Sequence, residues 1–486
     1  MIKKPVLDSV FWSYSNVLWN GFFSILVIFL FSRSLNLDEY GNFVGAYLFI
    51  DILTVVGQFG ISNYLIQLKN NDNRIFSTGF LLTGLISLII ILILNVCAFL
   101  FLNYEKYSLN FIPFLILTLY LPARNLTAVI NAIFLRSLKN KTITLIAIVS
   151  SLLSLLIALS FLYKTNGIYA LIALFVSKEW TRFILSIIYL RINIFTNLKK
   201  SSIKEMLLFG LPLTLSTIVN KINIEAPKIF CFIFLDSKSL GILSACLLIV
   251  NSIHNIFRST TYSLWVPVLS KIFLEMPQRF GEIFIRFTNV QISIVFPLFI
   301  IIAINNYEII EYIIPKNLQN IGYLLPYTCI YGMITSLTYL IIPSWIVLNK
   351  TVEGLKIEII KLVIGFILFI NFSSFGLQSI IFILITQELF ILFYSKIKIS
   401  PYIKKTILNQ FISSTNIFIA SSIFFIFSLI NSFYLIKINS IYSFIYVMII
   451  SLLIYYLSLF VFDRSVFREY KHIFKIYNSK FFKNKS

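Results

Sequence analysis

The stretch FSTGFLLTGLISLIIILILNVCAFLF at residues 76–101 decides the fold class, because it runs for 26 residues without a charged side chain. A helix needs about 20 mostly apolar residues to cross the hydrocarbon core of a bilayer, so this stretch predicts a membrane-spanning helix. Similar runs occur along the whole chain and predict about fourteen spans. They lie at roughly 9–31, 41–62, 76–101, 111–135, 143–162, 168–190, 206–235, 240–262, 284–304, 321–347, 357–374, 377–395, 407–430 and 440–462.

The composition of the chain agrees with this prediction. Of the 486 residues, 59% are hydrophobic and only 12% are charged, whereas about a quarter of the residues in a soluble domain are charged. A soluble core of this length could not bury so many apolar side chains and still cover its surface. The composition therefore excludes a cytosolic enzyme and predicts an all-α polytopic membrane protein.

The lysines and arginines of the predicted connections alternate in number from one side of the membrane to the other. Twenty-eight of them, Lys361 and Lys396 included, fall in the N terminus, every second connection and the C-terminal tail, while the other connections hold six. Cytoplasmic segments retain positive charge, so both termini are predicted to be cytoplasmic. Topology and attraction to anionic membrane lipids thus explain most of the net charge of +21, and nucleic acid is not an expected partner.

Six basic residues remain inside the predicted spans, where a charge at the bilayer centre costs about 2.5–3.5 kcal/mol on insertion scales. They are Arg124, Lys178, Arg182, Lys221, Lys228 and Arg258. The acidic residues assigned to the interior of the spans are Asp51, Glu179, Glu225 and Glu388. Four acids cannot neutralise six cations, so we predict that the basic residues line a cavity for an anionic substrate. The alternative is a set of closed ion pairs, such as Lys178 with an acid of a neighbouring helix or Lys221 with Glu225.

The four acids are given two different roles. Glu179 and Glu225 lie next to the basic residues in sequence and are predicted to be their internal partners. Asp51 and Glu388 are candidates for coupling transport to an ion gradient, although a buried, hydrogen-bonded Asp51 is equally compatible with the sequence. The four cysteines and two histidines do not form a spacing typical of a metal site, and no nucleotide-binding or catalytic motif occurs. We therefore expect no cofactor and no metal.

A short internal repeat indicates the domain organisation. The segment at residues 31–47 resembles the segment at residues 233–246, and Tyr40-Gly41 aligns with Leu240-Gly241. Six predicted spans separate the two copies, so both have the same orientation, as in transporters built from repeats. We predict an N-lobe over 1–198 with helices 1–6, a C-lobe over 199–400 with helices 7–12, helices 13–14 over 401–462, and a basic cytoplasmic tail over 463–486.

Several short motifs resemble the polysaccharide-transport flippases, the Wzx-type O-antigen exporters of the multidrug/oligosaccharidyl-lipid/polysaccharide superfamily. The resemblance rests on an N-terminal signature, on two glycines near the inner end of the second span, and on the start of the seventh span. These residues are Ser32-Arg33-Ser34-Leu35, Asp38-Glu39-Tyr40-Gly41-Asn42-Phe43, Gly57, Gly60 and Phe209-Gly210-Leu211-Pro212. The predicted span count and the two lobes extend the resemblance to the whole chain.

The resemblance implies a function in the bacterial cytoplasmic (inner) membrane. Such a protein moves an oligosaccharide linked to undecaprenyl pyrophosphate, an O-antigen or capsule repeat unit, from the inner to the outer leaflet by alternating access of two lobes. Its implied partners are this lipid-linked oligosaccharide, membrane lipids, a polymerase and a chain-length regulator. The resemblance does not assign the six basic residues, which rest on the charge argument alone.

Two other classes of function stay open at this point. A membrane O-antigen polymerase or glycosyltransferase also has many spans, but it is expected to carry a larger extracytoplasmic loop with catalytic residues. A cation-coupled drug antiporter of the same superfamily is expected to have acids rather than bases in its cavity.

Overall fold

The computed structural model describes residues 4–31, 35–67, 72–101, 111–164, 167–190, 199, 201–261, 265–307, 321–348, 350–435 and 441–463, and this part of the chain contains α-helices and no strand. The helices are α1 (Lys4–Phe31), α2 (Leu37–Gln58), α3 (Ile61–Gln67), α4 (Asn73–Phe101), α5 (Phe111–Thr118), α6 (Tyr120–Arg136), α7 (Asn140–Lys164), α8 (Gly167–Tyr189), α9 (Ser201–Phe234), α10 (Ser237–Thr260), α11 (Val266–Glu275), α12 (Phe280–Ile304), α13 (Leu325–Ser336), α14 (Ile341–Val347), α15 (Thr351–Phe372), α16 (Leu377–Ile403), α17 (Ile407–Ile412), α18 (Thr415–Leu435) and α19 (Ile441–Phe462).

The helices coincide with the apolar runs of the sequence. Each predicted span matches one helix, except that the runs at 41–62, 111–135, 321–347 and 407–430 each extend over two helices. Within the described residues, eight helical segments are long and apolar enough to cross a membrane, and further apolar helices are shorter. The prediction of an all-α polytopic membrane protein is confirmed. Ser32, Arg33 and Ser34 of the N-terminal motif lie outside the described residues, as does the basic tail from residue 464 on.

The chain forms two compact units, and unit 1 comprises residues 1–248 and 365–377. In unit 1, α7 packs on α1 and α8, α6 packs on α2, α4 and α8, and α9 packs on α2. A buried apolar core joins the short helix α3 to its neighbours through Ile61, Leu65, Phe76, Ile130 and Met206.

Both ends of helix α2 are fixed by local chemistry. At the start, the carboxylate of Glu39 accepts a hydrogen bond from the backbone N–H of Asn36 at 3.2 Å, which satisfies a donor that has no partner within the helix. At the end, Phe59 and Gly60 adopt left-handed backbone conformations with φ of 44° and 63°. Two consecutive left-handed residues cannot continue a right-handed helix, so α2 stops and α3 leaves in a new direction.

Glycine residues allow close backbone contacts at both ends of α2. At the first end, Gly41 lies against the carbonyl of Ser237 and the backbone nitrogen of Gly241, and Gly241 lies against the carbonyl of Leu37. At the second end, Gly60 lies against the backbone of Gly210. A Cβ atom at these positions would overlap the opposite backbone, so only glycine permits this approach. The aligned repeat glycines therefore meet each other, as do two glycines from separate motifs of the family resemblance.

Unit 2 comprises residues 249–364 and 378–486. Its centre is α12, which packs on α13 and α18, and α18 packs on α19. The buried core contains the large side chains of Phe280, Trp345, Phe424 and Tyr455. The hydroxyl of Tyr455 donates a hydrogen bond to the carbonyl of Ser293 at 2.9 Å. The boundaries of the two units fall at other residues than those of the predicted lobes, which stay a prediction.

Candidate functional site

Five of the six predicted basic residues and three of the four acids lie in unit 1. We call these eight residues the unit 1 charge cluster. They come from four helices, with Asp51 on α2, Arg124 on α6, Lys178, Glu179 and Arg182 on α8, and Lys221, Glu225 and Lys228 on α9.

The α9 part of this cluster is a stripe of three charges on one helix face. Glu225 is buried and lies between the two lysines, with Glu225 Oε1 3.3 Å from Lys221 Nζ and Glu225 Oε2 2.7 Å from Lys228 Nζ. Lys221 also forms an ion pair with Asp51 of α2, which is 7% exposed. One carboxylate of the stripe thus serves two lysines, and the second carboxylate comes from another helix.

Arg124 is held by tyrosine hydroxyls and not by a carboxylate. Its guanidinium donates a hydrogen bond to the hydroxyl of Tyr120 and lies 5.4 Å from the centroid of the Tyr120 ring. The Tyr120 hydroxyl is 3.1 Å from the hydroxyl of Tyr47, which donates to Asp51 Oδ1 at 3.3 Å. A chain of hydrogen bonds therefore joins Arg124 of α6 to Asp51 of α2.

Sequence reasoning did not find Tyr47 and Tyr120. A signal was available, because each tyrosine precedes a charged residue of the cluster by four positions, and side chains four residues apart share a helix face. The two tyrosines also belong to a group of aromatic rings in edge-to-face and tilted contact. The ring of Phe175 on α8 lies 5.2 Å from the ring of Tyr47 and 5.1 Å from the ring of Phe43. Aromatic surface thus lies directly beside Arg124.

The α8 part of the cluster contains one ion pair and one lysine without a carboxylate. Arg182 Nη1 lies 3.2 Å from Oε1 of Glu179, which is buried. The ammonium of Lys178 lies over the ring of Phe23, 4.5 Å from its centroid. Among the described residues, Lys178 has no salt-bridge partner. The alternative that pairs Lys178 with an acid of a neighbouring helix is therefore not what this part of the structure shows.

The other predicted residues lie in unit 2, where they join residues that the sequence did not point to. Glu388 on α16 is 2% exposed and forms an ion pair with Lys361 on α15. His254 on α10 is buried and hydrogen-bonded to the hydroxyl of Tyr339. Arg258 lies one turn further along α10 and interacts electrostatically with His254. We call His254, Arg258, Lys361 and Glu388 the unit 2 charge cluster.

Two lysines that were counted with the cytoplasmic connections lie within helices. Lys361 was counted as a cytoplasmic residue, but α15 begins at Thr351 and places Lys361 in the middle of the helix. Lys396 was counted in the same way, but it is 7% exposed and its ammonium lies 3.9 Å from the centroid of the Phe411 ring. Removing both from the cytoplasmic group leaves the asymmetry of charge between the two sides intact.

The six predicted basic residues divide into two groups. Arg182, Lys221 and Lys228 have carboxylate partners. Arg124, Lys178 and Arg258 form no salt bridge with any residue in the described part of the chain. A partly buried cation without a salt-bridge partner is unfavourable unless another group compensates it. These three side chains are therefore the ones that an anionic ligand would stabilise most.

Comparison with known proteins places the chain in a family. A family model described as polysaccharide biosynthesis protein matches residues 30–321, which is more than half of the 486 residues. The chain belongs to the polysaccharide biosynthesis protein family. The match spans the whole unit 1 charge cluster, and it confirms the family resemblance of the N-terminal motifs. A comparison with curated protein sequences gave no match.

Solved structures show which fold this polysaccharide biosynthesis protein has. The lipid II flippase MurJ in an inward closed conformation is similar with a TM-score of 0.73 at 14% identity, over 95% of this chain and 99% of MurJ. An inward-facing multidrug resistance MATE transporter is similar with a TM-score of 0.58 at 12% identity, over 82% of this chain and 96% of the transporter.

A third similar structure is a transporter of the multidrug/oligosaccharidyl-lipid/polysaccharide (MOP) superfamily from Pyrococcus furiosus, described by the reverse polarity of its binding pocket. Its TM-score is 0.54 at 14% identity, over 83% of this chain and 98% of its own. The polysaccharide biosynthesis protein therefore has the fold of the MOP transporters.

Proposed function

We propose that this protein is a flippase for an oligosaccharide linked to undecaprenyl pyrophosphate, an O-antigen or capsule repeat unit. It would move this substrate from the inner to the outer leaflet of the bacterial cytoplasmic membrane. The observation that carries the proposal is the placement of Arg124 on α6 and Lys178 on α8, within runs that the sequence predicts to span the membrane and without carboxylate partners among the described residues. A polysaccharide biosynthesis family and the fold of a lipid II flippase support the same substrate class.

The chemistry of the cargo fits the unit 1 charge cluster. A pyrophosphate cannot cross hydrocarbon unaided, because its oxygens would lose their hydrogen bonds to water. Guanidinium and ammonium groups replace those hydrogen bonds, and charge-assisted hydrogen bonds of this kind contribute about 1.5–3 kcal/mol each. Arg124 and Lys178 would supply them in the proposed complex. The remaining cations are held in place by Asp51, Glu179 and Glu225.

The aromatic rings of Tyr47, Tyr120 and Phe175, which lie beside Arg124, would contact the sugar. Sugar rings have apolar faces that pack on aromatic side chains, and the hydroxyls of Tyr47 and Tyr120 are hydrogen-bond donors and acceptors. Transport by alternating access would expose the cluster first to the cytoplasm and then to the outer side. A polymerase and a chain-length regulator would act on the delivered unit.

The surplus of positive charge separates this proposal from a drug antiporter. Unit 1 has five basic residues against three acids in its cluster. This balance would repel a cationic drug and attract a phosphate. A site for cationic compounds would need the opposite balance of charge.

The test replaces the unpaired cations in a deletion strain complemented with the full chain. Arg124→Ala and Lys178→Ala should each reduce surface polysaccharide about tenfold or more, since one lost charge-assisted hydrogen bond is worth about 1.5–3 kcal/mol. Arg258→Ala should also reduce it. Lys271→Ala is the matched control, because Lys271 is 72% exposed. Polysaccharide is measured on silver-stained gels, and protein amount by immunoblot.

Wild-type polysaccharide in all three variants, at wild-type protein level, would overturn the proposal. The deletion strain separates the flippase from a polymerase. Loss of a flippase leaves no repeat unit on the surface, whereas loss of a polymerase leaves single repeat units.

A further inference from the structure

The unit 2 charge cluster contains an ion pair, Glu388 with Lys361, that the proposed substrate binding does not use. Its groups come from three helices, α10 with His254 and Arg258, α15 with Lys361, and α16 with Glu388. Tyr331 of α13 faces the same groups and interacts electrostatically with Glu388, Lys361 and Arg258. Buried ionisable groups in membrane-spanning helices are costly and usually serve a function.

Lys361 of α15 is held by two residues of α16. Lys361 forms its ion pair with Glu388, and the Nε2 amide of Gln387 donates a hydrogen bond to the backbone carbonyl of Lys361 at 2.6 Å. Two adjacent residues of α16 therefore hold one residue of α15, through its side chain and its backbone. Any change in the charge of Glu388 acts directly on the contact between the two helices.

The surroundings of Glu388 suit a proton and not a metal cation. A sodium ion needs several oxygen ligands around an open coordination site. The carboxylate of Glu388 is instead occupied by the ammonium of Lys361, and Arg258 adds a second positive charge to the cluster. A proton needs no empty coordination site, because it binds to the carboxylate oxygen itself.

The second acid candidate, Asp51, is less suited to this role. It is paired with Lys221, and it also interacts electrostatically with Arg124 and Lys228. Protonation of Asp51 would leave three cations of the substrate cluster without this counter-ion. Protonation of Glu388 releases the single ammonium of Lys361.

We propose that Glu388 is the proton-binding group of the transport cycle, with Lys361 as its counter-ion, so that transport is coupled to protons and not to sodium. A proton from water forms an O–H bond with Glu388, and the charge-assisted hydrogen bond from Lys361 Nζ is lost while the ammonium keeps its three protons. Return of the proton to water on the other side restores the ion pair. This inference rests on the proposed transport function and names its coupling ion.

The test measures proton binding without any lipid-linked substrate. Purified full-length protein in proteoliposomes is adsorbed on a solid-supported membrane, and the charge displaced by a jump in pH or in Na⁺ concentration is recorded. The wild type should respond to pH and not to Na⁺. Glu388→Gln should reduce the pH response at least tenfold. Glu353→Gln is the matched control, because Glu353 pairs with Lys356 at 2.7 Å on the exposed side of α15 and should keep the full response.

A double variant keeps the test decisive if Glu388→Gln does not fold. Glu388→Gln combined with Lys361→Met removes both charges of the pair and should be folded, yet lack the pH response. A full pH response in the folded double variant, a wild type without a pH response, or a wild-type response to Na⁺ would each overturn the proposal. The substrate plays no part in this measurement, so its outcome is independent of whether the cargo is a lipid-linked oligosaccharide.

Discussion

The two charge clusters of the molecule differ in how their charged side chains are paired. In unit 1 most ion pairs are local, since Lys221, Glu225 and Lys228 share one helix and Glu179 pairs with Arg182 three residues away. In unit 2 the carboxylate and the lysine come from two different helices. An ion pair within one helix can persist when neighbouring helices move, whereas an ion pair between two helices depends on the distance between them. This difference agrees with substrate binding in unit 1 and proton coupling in unit 2.

The largest effect is expected from removing the carboxylate that serves two lysines. Glu225→Ala leaves Lys221 and Lys228 without their shared partner, and the loss of one member of a buried pair costs about 3–5 kcal/mol. We expect the lower end of this range, because both lysines keep some exposure. Thermal unfolding of the purified protein in detergent measures the change. Glu353→Ala, at an exposed pair in unit 2, should leave the melting temperature unchanged, and equal effects of the two variants would contradict the importance of burial.

A smaller effect is expected where glycines bring backbones together. Gly241→Ala forces a methyl group against the carbonyl of Leu37, and such overpacking costs about 1–3 kcal/mol. Gly84→Ala is the control in the same unit, because its Cβ would make only an ordinary contact with Leu126 at 3.6 Å.

Unit 2 offers the same test with its own control. Gly281→Ala meets the carbonyl of Ile403, while Gly354→Ala meets the Trp345 side chain at 3.7 Å. Thermal unfolding should give lower melting temperatures for Gly241→Ala and Gly281→Ala than for Gly84→Ala and Gly354→Ala. If Gly84→Ala were as destabilising as Gly241→Ala, close packing would not explain the glycines, because alanine has the higher helix propensity and by itself should stabilise both variants.

The smallest loss of stability is expected from replacing one buried asparagine in each unit. Asn289 of α12 in unit 2 makes two hydrogen bonds with the turn between α17 and α18, to the carbonyl of Ser413 at 2.8 Å and from the hydroxyl of Ser414 at 2.7 Å. Asn125 in unit 1 makes one, to the hydroxyl of Ser87 at 2.9 Å. Interhelical hydrogen bonds in membranes contribute about 0.6 kcal/mol each, so Asn289→Ala should lower the stability about twice as much as Asn125→Ala. Denaturant unfolding in mixed micelles would show the order, and the reverse order would contradict this count of bonds.

The sequence predicted the helices well because long apolar runs have few alternatives in a membrane. It also pointed to the stripe on α9, since charges at positions 221, 225 and 228 must share a helix face. It failed for Lys361, because the apolar run was drawn from residue 357 while the helix begins at Thr351. The six additional residues of the first turns, at 351–356, place Lys361 in the middle of the helix and not near its start.

Contacts between distant helices were beyond the sequence for a different reason. The pair of Asp51 with Lys221 and the chain from Tyr47 to Arg124 depend on which helices become neighbours, and no spacing along the chain encodes that. The repeat came nearest to predicting such a contact, because the glycines that it aligned are the ones that meet. Their alignment indicated equivalent positions, and the structure adds that these positions touch.

The two glycine contacts of α2 also set a fixed length for this helix. From Gly41 to Gln58, the last residue of α2 before Phe59 and Gly60, the helix rises over 17 residues, which corresponds to about 26 Å and is close to the thickness of the hydrocarbon layer. One inserted or deleted residue would rotate one end by about 100° relative to the other, and a single glycine could then no longer reach its counterpart. Substitutions along α2 can be accommodated one at a time, but changes in its length cannot, so the register between the two glycines should be the most invariant distance in the molecule.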